Sequence, residues 1–238
     1  MSLDWQAALQ SIPEHPLFAL GITMAAFQLA MAAYQRTRWI FLQPVLGSML
    51  LVIGVLLVSG VSYAQYREGA WLLSVLLGPA TVALAVPLYL NMKRIRRLFG
   101  PIMLTLLIVG PVTTALGVAL AWAFGASELM LATLAPKSVT SPIAMLVAEQ
   151  IGGVAALAAV FVLVTGVLGG MFGPALMNWM GVEHPAARGI TLGLTAHAVG
   201  TAQALQESDE CGAFAAVAMS LMGVMTAVLL PLAVSLTG

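Results

Sequence analysis

The chain has 238 residues, 61% of them hydrophobic and only 8% charged, with nine basic and nine acidic side chains. A soluble domain carries about 25% charged residues, so this composition excludes one and points to an all-α polytopic membrane protein. The balanced charge gives no footprint for nucleic acid, and a single cysteine, Cys211, excludes an intrachain disulfide and a cysteine metal cluster.

The first sixteen residues, MSLDWQAALQSIPEHP, hold Asp4 and Glu14 and no basic cluster, which is not the pattern of a cleaved signal peptide. A bilayer core takes about 20 helical residues, so the charges divide the chain into spans. Pro16–Gln35 is the first, closed by Arg36 and Arg38 with Trp39 as an interfacial anchor. Residues 39–66 supply the second, ending at Tyr63 and Tyr66 before Arg67 and Glu68. Residues 69–92 supply a third, which Gly78-Pro79 is expected to break and Pro87 to bend. The basic run Lys93, Arg94, Arg96, Arg97 closes it as a solvated turn, and residues 98–127 follow as the fourth.

The stretch LATLAPKSVTSPIAM, residues 131–145, departs from this pattern. Pro136 and Pro142 cannot both sit inside one regular helix without freeing backbone groups. Lys137 is the one charge between Glu128 and Glu149, with Ser138, Thr140 and Ser141 beside it. A lysine near mid-membrane costs roughly 2.5–3.5 kcal/mol on the insertion scale, and such a cost in a membrane marks function.

Residues 150–182 are uncharged and glycine-rich, a composition that lets helices approach closely. Glu183, His184 and Arg188 form a polar turn, and GLTAHAVGTAQAL (193–205) is a second polar break centred on His197, Gly200 and Thr201. Glu207-Ser208-Asp209-Glu210 precedes the last span, Cys211–Gly238.

Charge placement favours about seven spans plus a Pro-broken re-entrant hairpin at 129–148. Seven of the nine basic residues then lie inside, with Arg67 outside and Lys137 in the hairpin. The N-terminus is then outside and the C-terminus inside. Glu207, Asp209 and Glu210 fall on the outer face, opposite the Lys93–Arg97 run. Full crossing of 129–148 is the eight-span alternative.

Internal echoes suggest inverted repeats, 43–124 and 151–237, flanking the hairpin 128–149 within a single membrane domain. LLSVLLGPATVAL (72–84) lies over LMLATLAPKSVTS (129–141), pairing Pro79 with Pro136 and Thr81 with Ser138. GPVTTALG (110–117) lies over GVLGGMFG (166–173), and Lys137 falls on His197. Two three-helix units with a discontinuous middle helix are the plan of many secondary transporters.

In chemistry, Lys137 beside the positive end of a broken helix, with Ser138, Thr140 and Ser141 as donors, makes a site for a small carboxylate. An imidazole ordinarily titrates near neutral pH, so His197 suits substrate binding or a proton relay, with Thr201 and Gln203 flanking it. Thr81 extends the same set. Glu149 and Arg188 are membrane-edge charges, a gate pair or structural. No GxSxG, HExxH or Walker loop is present, so neither an enzyme nor a metal or other cofactor is expected.

At PKSVTSPIAM (136–145), GLTAHAVGTAQAL (193–205), YREGAWLLSVLLGPATVALAVPLY (66–89), AARGITLG (186–193) and GAFAAVAM (212–219), the sequence resembles the LrgB/CidB family. The resemblance implies a protein of the bacterial cytoplasmic membrane described as a holin/antiholin-like regulator of murein hydrolases. It also implies kinship with carriers of pyruvate, glycolate or glycerate. It further implies a small LrgA/CidA-type membrane partner, beside contacts with membrane lipid and with further copies of the chain. From these readings a secondary transporter of small monocarboxylates, coupled to protons or sodium, is the first expectation. A holin-like lysis regulator without a solute site is the second.

Overall fold

A computed structural model describes residues 15–37, 39, 42–83 and 85–237, so Asp4, Glu14 and Arg38 lie outside the described residues. Every regular element among the described residues is a helix. The chain forms two compact units, Met1–Ala83 and Leu84–Gly238.

The first unit holds α1 (Pro16–Thr37), α2 (Pro44–Ser59), α3 (Tyr63–Gly69) and α4 (Trp71–Ala83). Gln43 starts α2 by accepting from the Leu46 amide, and Gly60, at φ +69°, ends it. The chain then turns by 118° into α3, which opens with a capping box between Ser62 and Gln65. The second expected span is therefore a bent pair. Tyr66 bonds Thr23 of α1 at 2.8 Å, whereas Tyr63 is exposed. Pro79 sits inside α4 without breaking it. The expected break at Gly78-Pro79 is absent, because the neighbouring turns carry the helix past the missing N–H.

The second unit holds α5 (Ala85–Leu90), α6 (Met92–Ala123), α7 (Glu128–Leu134), α8 (Ser141–Gln150), α9 (Ala155–Trp179), α10 (Pro185–Glu207) and α11 (Asp209–Thr237). Lys93, Arg94, Arg96 and Arg97 stand on the first turns of α6 rather than in a loop before it. Among the described residues, five helical stretches are long and apolar enough to cross a bilayer, and the bent α2–α3 pair makes a sixth. This is a multi-pass membrane protein with five or six candidate spans among the described residues, against about seven expected. The difference lies in α10.

Helix α10 is helical at both ends but not in the middle. His197 has φ 42° and ψ −126°, outside any helical region. Arg188 and Glu207, near its two ends, are bonded at 2.6 Å although they are 19 positions apart. A straight helix would hold them about 28 Å apart. Residues 185–196 and 198–207 are thus two arms folded back on each other. Gly200 seals the fold, since a Cβ there would strike the Leu192 carbonyl.

Three glycine seams fix the directions of the helices. A Cβ at Gly166, Gly169 or Gly173 of α9 would meet His197, Ala196 or Leu192, so the first arm of α10 runs antiparallel to α9. Gly189 faces the Cys211 carbonyl and Gly193 the Ala215 carbonyl, so that arm runs parallel to α11. This is a small-xxx-small packing surface. Helix α11 runs parallel to α6, because Arg94 bonds Glu210 at 2.6 Å and a Cβ at Gly110 would lie 3.0 Å from Met222 Sδ. The charge-based topology set Arg94 and Glu210 on opposite faces; they lie at one end of the bundle. Acidic residues have little weight in topology, and the fold-back of α10 brings its two ends together instead of carrying the chain across.

Candidate functional site

The lysine-bearing break is the tip of a hairpin between α7 and α8. The Ala135 amide still bonds Leu131, but Pro136 has no N–H and α7 ends. Tight turns follow: Lys137 N–H donates to the Leu134 carbonyl at 3.0 Å, and Val139 N–H to Pro136 at 3.4 Å. Thr140 is extended and begins α8, but its hydroxyl makes no capping bond. The chain then returns. The Val154 amide donates to Thr133 Oγ1 at 3.0 Å, joining the residue after the hairpin to its first arm. Gly153 lies so close to the Thr133 backbone that a Cβ would stand 2.8 Å from its nitrogen.

The tip is set deep in the second unit. Pro136 and Val139 are fully buried, and Ser138 is buried. Val139 packs in one apolar cluster with Ile102 and Leu106 of α6, Val162 of α9, Leu194 of α10 and Phe214 of α11. Lys137 is half-buried and reaches α6, where Nζ donates to the Thr113 carbonyl at 3.2 Å. It lies across Gly117; a Cβ there would stand 2.7 Å from Nζ. An ammonium has three donors, and Thr113 takes one. Thr140 and Ser141 are half-buried on the same turn.

His197 is 4% exposed at the tip of the second fold-back. Its Nε2 lies 2.9 Å from the Val162 carbonyl of α9. A carbonyl only accepts, so Nε2 carries the proton and Nδ1 is left with the second role. The ring occupies the space that Gly166 leaves without a side chain. Thr201, also buried, donates to the His197 carbonyl at 2.9 Å and lies 3.6 Å from Met219 Sδ. Its hydroxyl closes the turn. Gln203 is buried with Oε1 unpartnered.

The expected binding residues thus fall into three places, with Glu149 and Arg188 apart from them. Lys137, Ser138, Thr140 and Ser141 share the first tip. His197 and Thr201 share the second. Lys137 is held on α6 and His197 on α9, so the tips are joined through the apolar cluster rather than by a bond between the two residues. Thr81 lies on α4 in the first unit, and its side chain is outside the described residues. Glu149 is exposed at the end of α8. Arg188 is engaged with Glu207, which accepts from Nε at 2.6 Å and Nη2 at 2.9 Å. Its Nη1 donates to Asn178 Oδ1 and the Val182 carbonyl. The hydrogen bond with the Glu207 carboxylate raises its pKa above the ordinary guanidinium value, with burial opposing. Of the two roles expected for Glu149 and Arg188, gate pair or structural charge, the geometry gives no contact between them; Arg188 instead forms a clasp with Glu207 at the base of α10.

Sequence reasoning missed Thr113, Gly117, Gly166, Asn178 and Glu207. Two had a signal: Gly166, in the glycine-rich stretch that lets helices approach closely, and Glu207, which with Arg188 sets opposite charges at the two ends of one polar stretch. A groove of about 210 Å³ between α6 and α11 is lined by Gly110, Pro111, Thr114, Met222, Met225 and Thr226 among others, and neither Lys137 nor His197 lines it. Among the described residues no group of His, Cys, Asp and Glu is arranged to hold a metal ion.

Residues 23–236 match the LrgB-like family. The chain belongs to that family. This LrgB-like protein is 36% identical to the holin-like protein CidB of Staphylococcus epidermidis RP62A over 196 residues, 82% of this chain and 85% of the relative. It is 32% identical to the holin-like protein CidB of Staphylococcus aureus Mu50 over 220 residues, 92% and 96% of the two chains. It is 35% identical to the Bacillus subtilis protein YwbG over 213 residues, 88% and 93%. No solved structure matches it.

Proposed function

We propose that this LrgB-like protein is a secondary transporter, or transporter subunit, for small monocarboxylates such as pyruvate, glycolate or glycerate. The observation that carries the reading is Lys137. A half-buried ammonium sits at the tip of a folded-back hairpin and spends one of its three donors on Thr113. Placing a cation there is costly, and a bound carboxylate offsets the cost. The uncapped start of α8, after Thr140, adds the positive end of a helix dipole and free amides to the same place. Ser138 and Ser141 supply hydroxyl donors. His197, with Nε2 committed to Val162, offers Nδ1 for a proton that travels with the acid. In this reading the protein carries out no chemical conversion and uses no cofactor. It works in the bacterial cytoplasmic membrane beside a small LrgA/CidA-type protein.

The test is reconstitution of the purified protein in vesicles, with labelled C2 and C3 acids supplied outside and a pH gradient imposed. Saturable uptake that competes with unlabelled acid supports the reading. Absence of uptake, with and without the gradient and the small partner, overturns it.

The second reading is a holin-like regulator of murein hydrolases with no solute site. The relatives' names favour it directly, since both staphylococcal proteins are called holin-like. It predicts leakage of a trapped dye from the same vesicles, unsaturable and indifferent to carboxylates.

A further inference from the structure

We propose that the second unit crosses the membrane three times and carries two re-entrant hairpins directed inward from opposite faces, with their tips sharing one core. The spans are α6, α9 and α11; the hairpins are α7–α8 and the folded α10. The inference rests on helix directions, arm lengths and one shared apolar cluster, and is independent of what the protein transports.

The directions leave one arrangement. Helices α6 and α11 are parallel by the Arg94–Glu210 and Gly110–Met222 contacts. The first arm of α10 is parallel to α11 and antiparallel to α9 by the glycine seams. Helix α9 is therefore antiparallel to α6. A chain that goes up α6 and down α9 has not crossed between them, so α7–α8 leaves and rejoins the same face. A chain that goes down α9 and up α11 has not crossed between them either, so α10 leaves and rejoins the other face. The Arg188–Glu207 clasp and the Thr133–Val154 bond are the local closures of these two loops.

Depth follows from length. The twelve residues of the first α10 arm, 185–196, rise about 18 Å, past the middle of a hydrocarbon core of about 30 Å. The lysine tip reaches the same interior, since Val139 and Leu194 belong to one cluster. Helix α6 with α7–α8, and α9 with α10, are then two span-and-hairpin units of opposite orientation. The echo of residues 110–117 in 166–173, and of Lys137 in His197, falls on matching places in these units. The repeat boundaries differ from those expected: residues 92–150 and 155–207, not 43–124 and 151–237. A site at the tips is shielded from each aqueous phase by a hairpin rather than by a full span, which gives two separate routes to one interior.

The test is sidedness of single cysteines placed in a Cys211→Ala background: Ala126→Cys and Glu149→Cys flanking the first hairpin, Glu183→Cys and Asp209→Cys flanking the second. An impermeant thiol reagent is applied to intact cells and to inverted vesicles. The expected result is that 126 and 149 react from one side and 183 and 209 from the other. A split within either pair, or all four on one side, overturns the proposal. Spin-label distances for the same positions in pairs give a second reading in purified protein. Within-pair distances stay well below the roughly 30 Å that separates the faces, and a 183–209 distance of that size also overturns it.

Discussion

Arg188 donates two hydrogen bonds to the Glu207 carboxylate, at 2.6 and 2.9 Å, from the opposite end of α10. The pair is the base of a hairpin whose tip is His197. Arg188 also holds Asn178 and Val182 of the α9 end, so one guanidinium joins both arms to the neighbouring span. Removing it leaves Glu207 with Cys211 Sγ, at 3.7 Å, as a weak donor. Hydrogen bonds to a charged group contribute about 1.5–3 kcal/mol. The Arg188 and Glu207 side chains keep 13% and 21% of their exposure, so solvent reduces that figure. Arg188→Ala is expected to lower stability by about 1–3 kcal/mol and Glu207→Gln by less, since the amide retains an acceptor. Thermal unfolding in detergent checks this, with exposed Arg96→Ala as the reference; an equal loss at both arginines contradicts the clasp.

The glycine seams rank by what a methyl group would strike. At Gly193 it meets the Ala215 carbonyl, which is backbone; at Gly117 it meets the end of the Lys137 side chain. Backbone cannot yield without moving α11, while a lysine tip swings away. Gly193→Ala is therefore expected to cost at least the roughly 1–3 kcal/mol of an overpacked core, seen as lost monodisperse protein. Gly117→Ala is expected to fold with near-normal stability but to displace Lys137 from Thr113 and weaken carboxylate uptake.

His197 has a backbone conformation, φ 42°, that glycine tolerates and β-branched residues do not. Such strain costs about 1–3 kcal/mol, which the Val162 bond partly offsets. His197→Gly relieves the strain and loses the bond, so its melting temperature is expected to lie within a few degrees of the wild type. His197→Val keeps the strain, loses the bond and is expected to melt well below both. Equal melting of the glycine and valine variants would mean that no tight turn exists at this position. Uptake driven by a pH gradient is expected to fall in both variants.

What the sequence disclosed and what it hid divide along physical lines. The lysine hairpin was visible because two prolines forbid a continuous helix and a lone charge marks the cost. At 197 the polar break is legible in GLTAHAVGTAQAL, but the full reversal there is not, because no proline or glycine occupies the turn. A histidine takes the unusual angles, and Gly200, three residues on, supplies the clearance. Its two arms together have the length of a single span, so cutting the chain at its charges counted them as one. Glu207, Asp209 and Glu210 then went to the wrong face relative to Arg94, since the rule that orders membrane loops reads lysine and arginine and is nearly blind to carboxylates. Gly78-Pro79 misled in the opposite direction: the residues that usually break a helix sit inside α4.

The central claim is that the Lys137 ammonium at the tip of the first hairpin holds the substrate carboxylate. The direct measurement is the initial rate of carboxylate uptake against concentration in vesicles bearing wild-type protein, Lys137→Arg or Lys137→Met, at equal amounts of inserted, monodisperse protein. The account predicts saturable uptake for the wild type, a weakened but saturable curve for arginine, and loss of at least tenfold in kcat/KM for methionine, which fills the same space without a charge. Uptake by Lys137→Met at the wild-type rate and concentration dependence would contradict it.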